Sequence, residues 1–361
     1  MVTSVCSIVV PMNILLALVA LTTIFYVLAI LTEYFFVPAI DVITRKLNIS
    51  SDAAGATFLA MGSSAAEFFT SLIAILTLVN KGGANVGAGT IVGSAIFNIL
   101  VIVGASAMYK TVTLQWKPVL RDQIFYIITI LLLLATFWDG KIVLYEAIGF
   151  VFTYAFYVYV VIQWRKWFKY EEPELPDNAD LEKKTRLSGL AHRIISCVVP
   201  DPVRRPKLYI VTFIFSIIAI AGLSWVMIDQ VLVIADVLNI NATFLALTVL
   251  AAGTSIPDLL GSLVVAKQGR GDMAVSNAVG SNIFDILFAL GFPWLIVLLF
   301  KTDEIIVSTE NLSASIFLLF ATVVATLFLL IARKWRLGRY SGIFLIGLYV
   351  AYCVYLVITI I

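Results

Sequence analysis

Residues 251–291 read AAGTSIPDLLGSLVVAKQGRGDMAVSNAVGSNIFDILFALG. The stretch is mostly apolar, yet it carries Thr254, Ser255, Asp258, Ser262, Asn277, Ser281, Asn282 and Asp285. Carboxylates inside lipid-buried helix are costly and so demand a purpose. The stretch also has an echo. Residues 60–104 contain Gly62-Ser63-Ser64-Ala65-Ala66-Glu67, which matches Gly253-Thr254-Ser255-Ile256-Pro257-Asp258 at an offset of 191. Gly93-Ser94-Ala95-Ile96-Phe97-Asn98 matches Gly280-Ser281-Asn282-Ile283-Phe284-Asp285 at an offset of 187. A longer turn around Lys81-Gly82-Gly83 absorbs the difference of four. One unit has been used twice, and the rest of the chain frames the two copies.

The frame is membrane-spanning. Of 361 residues, 61% are hydrophobic and only 13% are charged, against about a quarter charged in soluble domains. Ten apolar segments approach the roughly 20 residues needed to cross the hydrocarbon. They lie near 12–37, 53–79, 86–109, 119–138, 141–164, 208–235, 243–266, 272–300, 310–332 and 340–360. The expected fold is an all-α multi-pass membrane protein. Residues 1–164 form a first five-span half with the first copy of the repeated unit, repeat 1, at about 53–109. Residues 165–207 form a polar loop rich in Pro and Glu, and 208–361 form a second half with repeat 2 at about 243–300.

Loops following the odd-numbered spans, with their flanks, hold 21 of the 24 Lys and Arg residues. The opposite side holds only Lys81, Lys141 and Lys301. The positive-inside rule places the crowded side, including loop 165–207, in the cytoplasm and both termini outside. Five spans per half is an odd number, so the second half enters from the opposite side. The result is two inverted five-helix repeats, a frequent plan among secondary transporters.

Other features carry less. Cys6, Cys197 and Cys353 have no ligand spacing, which argues against a disulfide framework or a zinc site. The only histidine, His192, lies in the polar loop and reads as a solvated side chain. No basic segment precedes the first apolar run, so no cleavable signal peptide is expected. The net charge of +2 sits between the spans and gives no reason to expect nucleic acid. Sequons at Asn48, Asn241 and Asn311 are expected to be chance matches.

The chemistry lies in four spans. Ala60, Ser64, Glu67 and Ser71 are spaced 4, 3 and 4 apart and share a helical face, as do Ala251, Ser255, Asp258 and Ser262. Thr90, Ser94 and Asn98 form an i, i+4, i+8 stripe, repeated by Asn277, Ser281 and Asp285. Small residues favour close packing of membrane helices and polar ones join them. Packing needs no acids, however, and no Lys or Arg in these spans pairs with Glu67, Asp258 or Asp285. The ligand set is all oxygen, which suits hard cations such as Na⁺, K⁺ and Ca²⁺ rather than soft transition metals. Clustered carboxylates in an apolar site require cations to remain ionised. Competition of cation sets for one pocket amounts to exchange. Pro257, just before Asp258, disturbs the preceding turn and can free carbonyls near Ala251 and Thr254.

At these residues the chain resembles the cation/Ca²⁺ exchanger superfamily, and within it the K⁺-dependent Na⁺/Ca²⁺ exchangers. The resemblance rests on Gly55-Ala56-Thr57-Phe58 with Gly62-Ser63-Ser64, and on Gly89-Thr90-Ile91-Val92 leading into the Gly93–Asn98 motif. In the second copy it rests on Gly253–Asp258, Gly271–Ser276 and Gly280–Asp285. It implies that Glu67 and Asp258 hold Ca²⁺ and also Na⁺. Backbone oxygens of Ala60 and Ala251, with Ser63 and Thr254, would complete the shell. Ser64, Ser94, Ser255, Ser281 and Asn98 would serve flanking Na⁺ sites, and Asp285 would be linked to K⁺. Spans 1 and 6 would slide against the core to alternate access. These are transported ions, not cofactors, and a plasma-membrane location is expected. One departure is Ala66, where the family pattern has proline. The break in span 2 would then rest on Gly62 and the serines, with weaker carbonyl exposure.

Competing readings are an H⁺-coupled or K⁺-independent exchanger and a channel. An intramembrane aspartyl protease is suggested by Gly269-Arg270-Gly271-Asp272. Asp272 is better explained as an N-terminal acid of span 8, favoured by the helix dipole. The chain is therefore expected to be a transporter and not an enzyme, with inorganic cations and the lipid bilayer as its partners.

Overall fold

The structure is a computed structural model. It describes residues 2–46, 56–57, 60–78, 82–109, 111–168, 199, 206–238, 240–267, 271–308 and 310–360. His192, Cys197, the sequon at Asn48 and nearly all of the middle loop lie outside the described residues.

Helix dominates, as lipid requires of a chain that must satisfy its own backbone polar groups. Among the described residues nine helices are long and apolar enough to cross a membrane. Their bounds follow the hydropathy reading within a few residues in most spans. Span 3 runs Gly83–Tyr109, span 4 Trp116–Thr136, span 5 Leu144–Trp167 and span 6 Tyr209–Leu238. Spans 9 and 10 are Glu310–Ala332 and Arg339–Ile360. Span 1 is longer than its apolar core suggests, with helix Val2–Leu31, a π-helical turn Thr32–Phe36, and Val37–Lys46. The tenth crossing is span 2, represented by Ala60–Ser63 and Ala65–Thr77.

Spans 2, 3, 7 and 8 form the centre. Span 3 packs on span 2, and span 8 on span 7, with cross-contacts joining the two pairs. Glycines permit the closest of these approaches, and they obey the repeat. A Cβ at Gly280 would lie 2.7 Å from the Ala56 carbonyl oxygen. A Cβ at Gly93 would strike the Leu247 carbonyl oxygen. Leu247 is the repeat counterpart of Ala56, so each span-3-type helix lies directly on the backbone of the other copy's span-2-type helix.

The periphery shows the same symmetry. The end of span 3 packs on span 10, and the end of span 8 packs on span 5. Two short ladders join the loops. β1 (Val112–Thr113) pairs antiparallel with β4 (Arg336–Leu337), and β2 (Lys141–Val143) with β3 (Glu304–Ile306). Each ladder ties one half of the chain to the other. The first joins the loops after spans 3 and 9, and the second joins those after spans 4 and 8. Loops after odd-numbered spans thus pair with each other, and loops after even-numbered spans do the same, as alternating crossings require. An exposed Lys141–Glu304 ion pair of 2.9 Å closes the second ladder, and Glu304 holds the Lys141 ammonium above its usual range. Spans 1 and 6 pack against each other, with Phe36 stacked on Phe213 at 5.2 Å between ring centroids.

Candidate cation site

Both acid-bearing helices are interrupted at the equivalent residue. The span containing Glu67 breaks at Ser64 (φ −83°, ψ 11°) and restarts at Ala65. The span containing Asp258 breaks at Ser255 (φ −82°, ψ 0°) and restarts at Ile256. Glu67 and Asp258 therefore each occupy the third residue of a new helix, where the dipole favours a negative charge. The two breaks have nearly the same backbone angles, although Ala66 stands where the second copy has Pro257. The turn belongs to the serine, with Gly62 and Gly253 close before it. Both breaks are single-residue kinks. The Ala60 carbonyl still accepts from Ser64 N at 3.0 Å and from Ser63 Oγ at 3.3 Å. The Ala251 carbonyl accepts from Ser255 N and from Thr254 Oγ1, both at 3.3 Å. Thr254 Oγ1 also reaches the Leu250 carbonyl at 3.0 Å. The carbonyls are less free than full unwinding would leave them, although each has a second lone pair to offer.

The facing helices are irregular too. Asn98 and Asp285 each begin a π-helical segment, Asn98–Ile102 and Asp285–Leu290. A third occupies Ala246–Leu250, just before the Ala251 carbonyl. Such segments often accompany functional sites. The first two sit at corresponding places in the two copies.

The polar side chains meet across the copies, and all of the acids are fully buried. Glu67 Oε1 accepts from Ser255 Oγ at 3.1 Å and from Ser94 Oγ at 3.4 Å, and the two hydroxyls are 2.7 Å apart. Asp258 Oδ1 accepts from Ser281 Oγ at 3.3 Å, and Oδ2 accepts from Asn98 Nδ2 at 3.2 Å. Ser63 and Ser281 approach to 3.5 Å. Each acid is thus held partly by the other copy. Next to them, Asn277 Nδ2 donates to Ser262 Oγ at 3.3 Å.

Several buried oxygens have no hydrogen-bond partner in the protein: Glu67 Oε2, Ser64 Oγ, Asn98 Oδ1, Asn277 Oδ1 and both carboxylate oxygens of Asp285. Buried polar atoms in folded proteins are almost always paired. A concentration of acceptors without donors, at the centre of four spans, suits cations. Among the described residues no three Asp, Glu, His or Cys side chains are arranged around one metal position. Neutral hydroxyl, amide and carbonyl oxygens must therefore make up most of any shell, with Asp285 to one side. That composition fits Na⁺, K⁺ and Ca²⁺.

Every candidate residue is brought into this region: Glu67, Asp258, Asp285, Asn98, Ala60, Ser63, Ser64, Ser94, Ala251, Thr254, Ser255 and Ser281. Two participants carried no assignment from the sequence. Asn282 Nδ2 donates to Tyr126 Oη of span 4 at 2.8 Å and to the Ala95 carbonyl at 3.1 Å, while Asn98 Nδ2 donates to Asn282 Oδ1 at 2.9 Å. Asn282 stands inside the repeated motif, whereas Tyr126 has no sequence signal at all. Of the weaker motifs, Asn241 serves as a helix N-cap, accepting from Thr243 N at 2.8 Å. Asp272 is the second residue of the helix Gly271–Phe284, as the dipole reading expects.

The family model for sodium/calcium exchanger proteins matches residues 16–163 and 208–358. The chain belongs to the sodium/calcium exchanger protein family. It is 28% identical to sodium/potassium/calcium exchanger 2 of Gallus gallus, covering 94% of this chain and 77% of that protein. It is 27% identical to sodium/potassium/calcium exchanger 4 of Mus musculus, over 91% and 78%. Two solved folds are similar. The sodium-calcium exchanger NCX_Mj, soaked with 2.5 mM Na⁺ and 10 mM Sr²⁺, gives a TM-score of 0.61 at 21% identity, covering 94% of this chain and 98% of that one. The H⁺/Ca²⁺ exchanger CAX gives 0.66 at 16% identity, over 95% and 81%. At these identities the structural matches speak for the fold, two inverted sets of membrane helices.

Proposed function

We propose that this chain is a secondary active antiporter that exchanges Na⁺ for Ca²⁺ across a membrane, with K⁺ moving alongside Ca²⁺. The observation that carries the reading is the cross-braced pair Glu67 and Asp258. They are buried at symmetric helix breaks, amid acceptor oxygens that have no donors. The names of its relatives, sodium/potassium/calcium exchangers 2 and 4, support the choice of ions. In this reading Glu67 and Asp258 hold Ca²⁺ or Na⁺. The carbonyls of Ala60 and Ala251 and the hydroxyls of Ser63 and Thr254 complete the shell. Ser64, Ser94, Ser255, Ser281 and Asn98 serve adjacent Na⁺ positions, and Asp285 supports K⁺. Spans 1 and 6, paired outside the core, move against it to alternate access.

The membrane is the plasma membrane, with both termini outside and loop 165–207 in the cytoplasm. The basic-residue count, 21 of 24 Lys and Arg on the side of loop 165–207, supports that orientation.

The test is ⁴⁵Ca²⁺ uptake into Na⁺-loaded proteoliposomes, with and without external K⁺. Uptake should require the Na⁺ gradient, saturate, and vanish in Glu67→Gln and Asp258→Asn proteins that remain monodisperse. Normal flux in either variant sinks the site assignment. Flux driven by a pH gradient without Na⁺ selects the proton-coupled reading, and flux without any counter-ion selects a channel.

A further inference from the structure

We infer that Tyr126 and Asn282 are positioning residues for cation binding. They orient the amide of Asn98 so that its oxygen, not its nitrogen, is offered to the ion. The inference rests on the cation-site reading above and assigns roles to two residues that it leaves out.

An asparagine amide has a donor end and an acceptor end, and a half-turn about χ2 exchanges them. Both hydrogens of the Asn282 amide nitrogen are committed, one to Tyr126 Oη at 2.8 Å and one to the Ala95 carbonyl at 3.1 Å. A reversed Asn282 would set its oxygen against the Ala95 carbonyl oxygen. The amide oxygen must therefore point at Asn98, and it accepts from Asn98 Nδ2 at 2.9 Å. The second hydrogen of Asn98 goes to Asp258 Oδ2 at 3.2 Å. Asn98 Oδ1 is left buried and without a partner.

Asp258 alone would orient Asn98 only while its carboxylate carries an uncompensated charge. Once a cation neutralises that carboxylate, its hold on the Asn98 nitrogen weakens. Asn282 accepts from Asn98 whether or not the ion is present. Its contribution therefore matters most in the loaded state, where the Asn98 oxygen is needed as a ligand.

The repeat explains why this device exists in one copy only. The counterpart of Asn98 is Asp285, and the counterpart of Asn282 is Ala95. A carboxylate has two equivalent oxygens and needs no orienting, so nothing is lost by a methyl group at position 95. The amide does need it, and a second amide stands opposite.

The experiment measures Na⁺-driven Ca²⁺ flux in proteoliposomes for Tyr126→Phe and Asn282→Ala, alone and combined with Asn98→Ala. Losing one net hydrogen bond corresponds to about threefold to tenfold in affinity. Each single variant should raise the half-saturating Na⁺ or Ca²⁺ concentration by that factor, with maximal flux within about twofold of wild type. In the Asn98→Ala background neither change should cost anything further, because both act through Asn98. If Asn98→Ala abolishes flux, the same cycle is read from the rise in unfolding temperature with added Ca²⁺ in purified protein. Unchanged affinities in the single variants, or penalties that multiply with Asn98→Ala, overturn the inference. Glu67→Gln is the control. If it retains normal flux, the site reading has failed. If it is inactive and the cycle is additive, only the role of Tyr126 and Asn282 has failed.

Discussion

Replacing Asp285 by Asn removes one charge while nearly preserving shape. Asp285 is fully buried, and neither of its oxygens has a hydrogen-bond partner in the protein. It stands to one side of the Glu67–Asp258 pair, so a Ca²⁺ ion that balances those two leaves Asp285 uncompensated. An aspartate at a span centre costs roughly 2.5–3.5 kcal/mol on insertion scales. At about 1.4 kcal/mol per factor of ten, that is around a hundredfold in an equilibrium constant. A monovalent cation beside Asp285 removes the penalty, and this is how K⁺ dependence would arise. Withdrawing K⁺ from wild-type protein should therefore lower Na⁺-driven Ca²⁺ flux by up to about a hundredfold, the full penalty worked above. In Asp285→Asn the demand is gone. The variant should transport Ca²⁺ with less than about a twofold response to K⁺, since no buried charge remains to neutralise. The assay is ⁴⁵Ca²⁺ uptake across a K⁺ titration at constant ionic strength, with choline as the replacement cation. Wild-type flux that ignores K⁺ refutes the electrostatic argument, as does an unchanged K⁺ activation curve in Asp285→Asn.

Two further expectations follow from the geometry. Ala66→Pro should be tolerated, with Ca²⁺ affinity and turnover within about twofold of wild type, because position 66 lies in the first turn of a helix where proline is accepted. Equilibrium binding and flux on the purified variant check this, and a large change in either direction would show that the two breaks are not equivalent. A single cysteine placed at Asn178, in a protein freed of its native cysteines, should react with an impermeant maleimide only after cells are permeabilised. Labelling in intact cells would reverse the proposed orientation.

Much of this molecule is legible in its sequence, because the forces that shape it are periodic and short in range. Hydropathy marked the spans, and the odd number of spans per half set the inversion. The 4, 3, 4 spacing around Glu67 and Asp258 put the right side chains on one face. What stayed hidden depends on contacts between distant residues. The pairing of Tyr126 with Asn282 bridges 156 positions and leaves no trace in either local pattern. The π-helical segments change the winding by one residue, too little to disturb an apolar stripe. The basic-residue count includes Arg121 among the flanks of the loop after span 3. The fold instead buries it beside Asp122, with Nε–Oδ1 at 2.8 Å and Tyr157 donating to the same carboxylate at 3.1 Å. Ala66 bears on one part of the break only. The kink belongs to the serine two residues earlier and forms without a proline, while the Ala60 carbonyl accepts from Ser64 N at 3.0 Å against 3.3 Å for the Ala251 carbonyl.

The symmetry of the scaffold and the asymmetry of the pocket answer different demands. Alternating access requires two arrangements of similar energy. An inverted repeat supplies them, because exchanging the conformations of the two halves reproduces the same set of contacts facing the other way. The backbone obeys this at Ser64 and Ser255, at Gly93 and Gly280, and in the two loop ladders. Exchange of unlike ions asks for something else. A pocket with equal charge and equal donors in both copies would treat its two flanks alike. At the breaks the pairs that differ, Ser63 with Thr254 and Glu67 with Asp258, keep the same kind of oxygen, hydroxyl for hydroxyl and carboxylate for carboxylate. In the pocket, the pairs in which the kind of side-chain group changes are Asn98 against Asp285, Ala95 against Asn282, and Thr90 against Asn277, all on spans 3 and 8. The moving geometry is thus kept twofold, while chemical discrimination is confined to side chains that can differ without disturbing it. A substitution that symmetrises one of these pairs should change which ions are carried before it changes whether the protein can cycle.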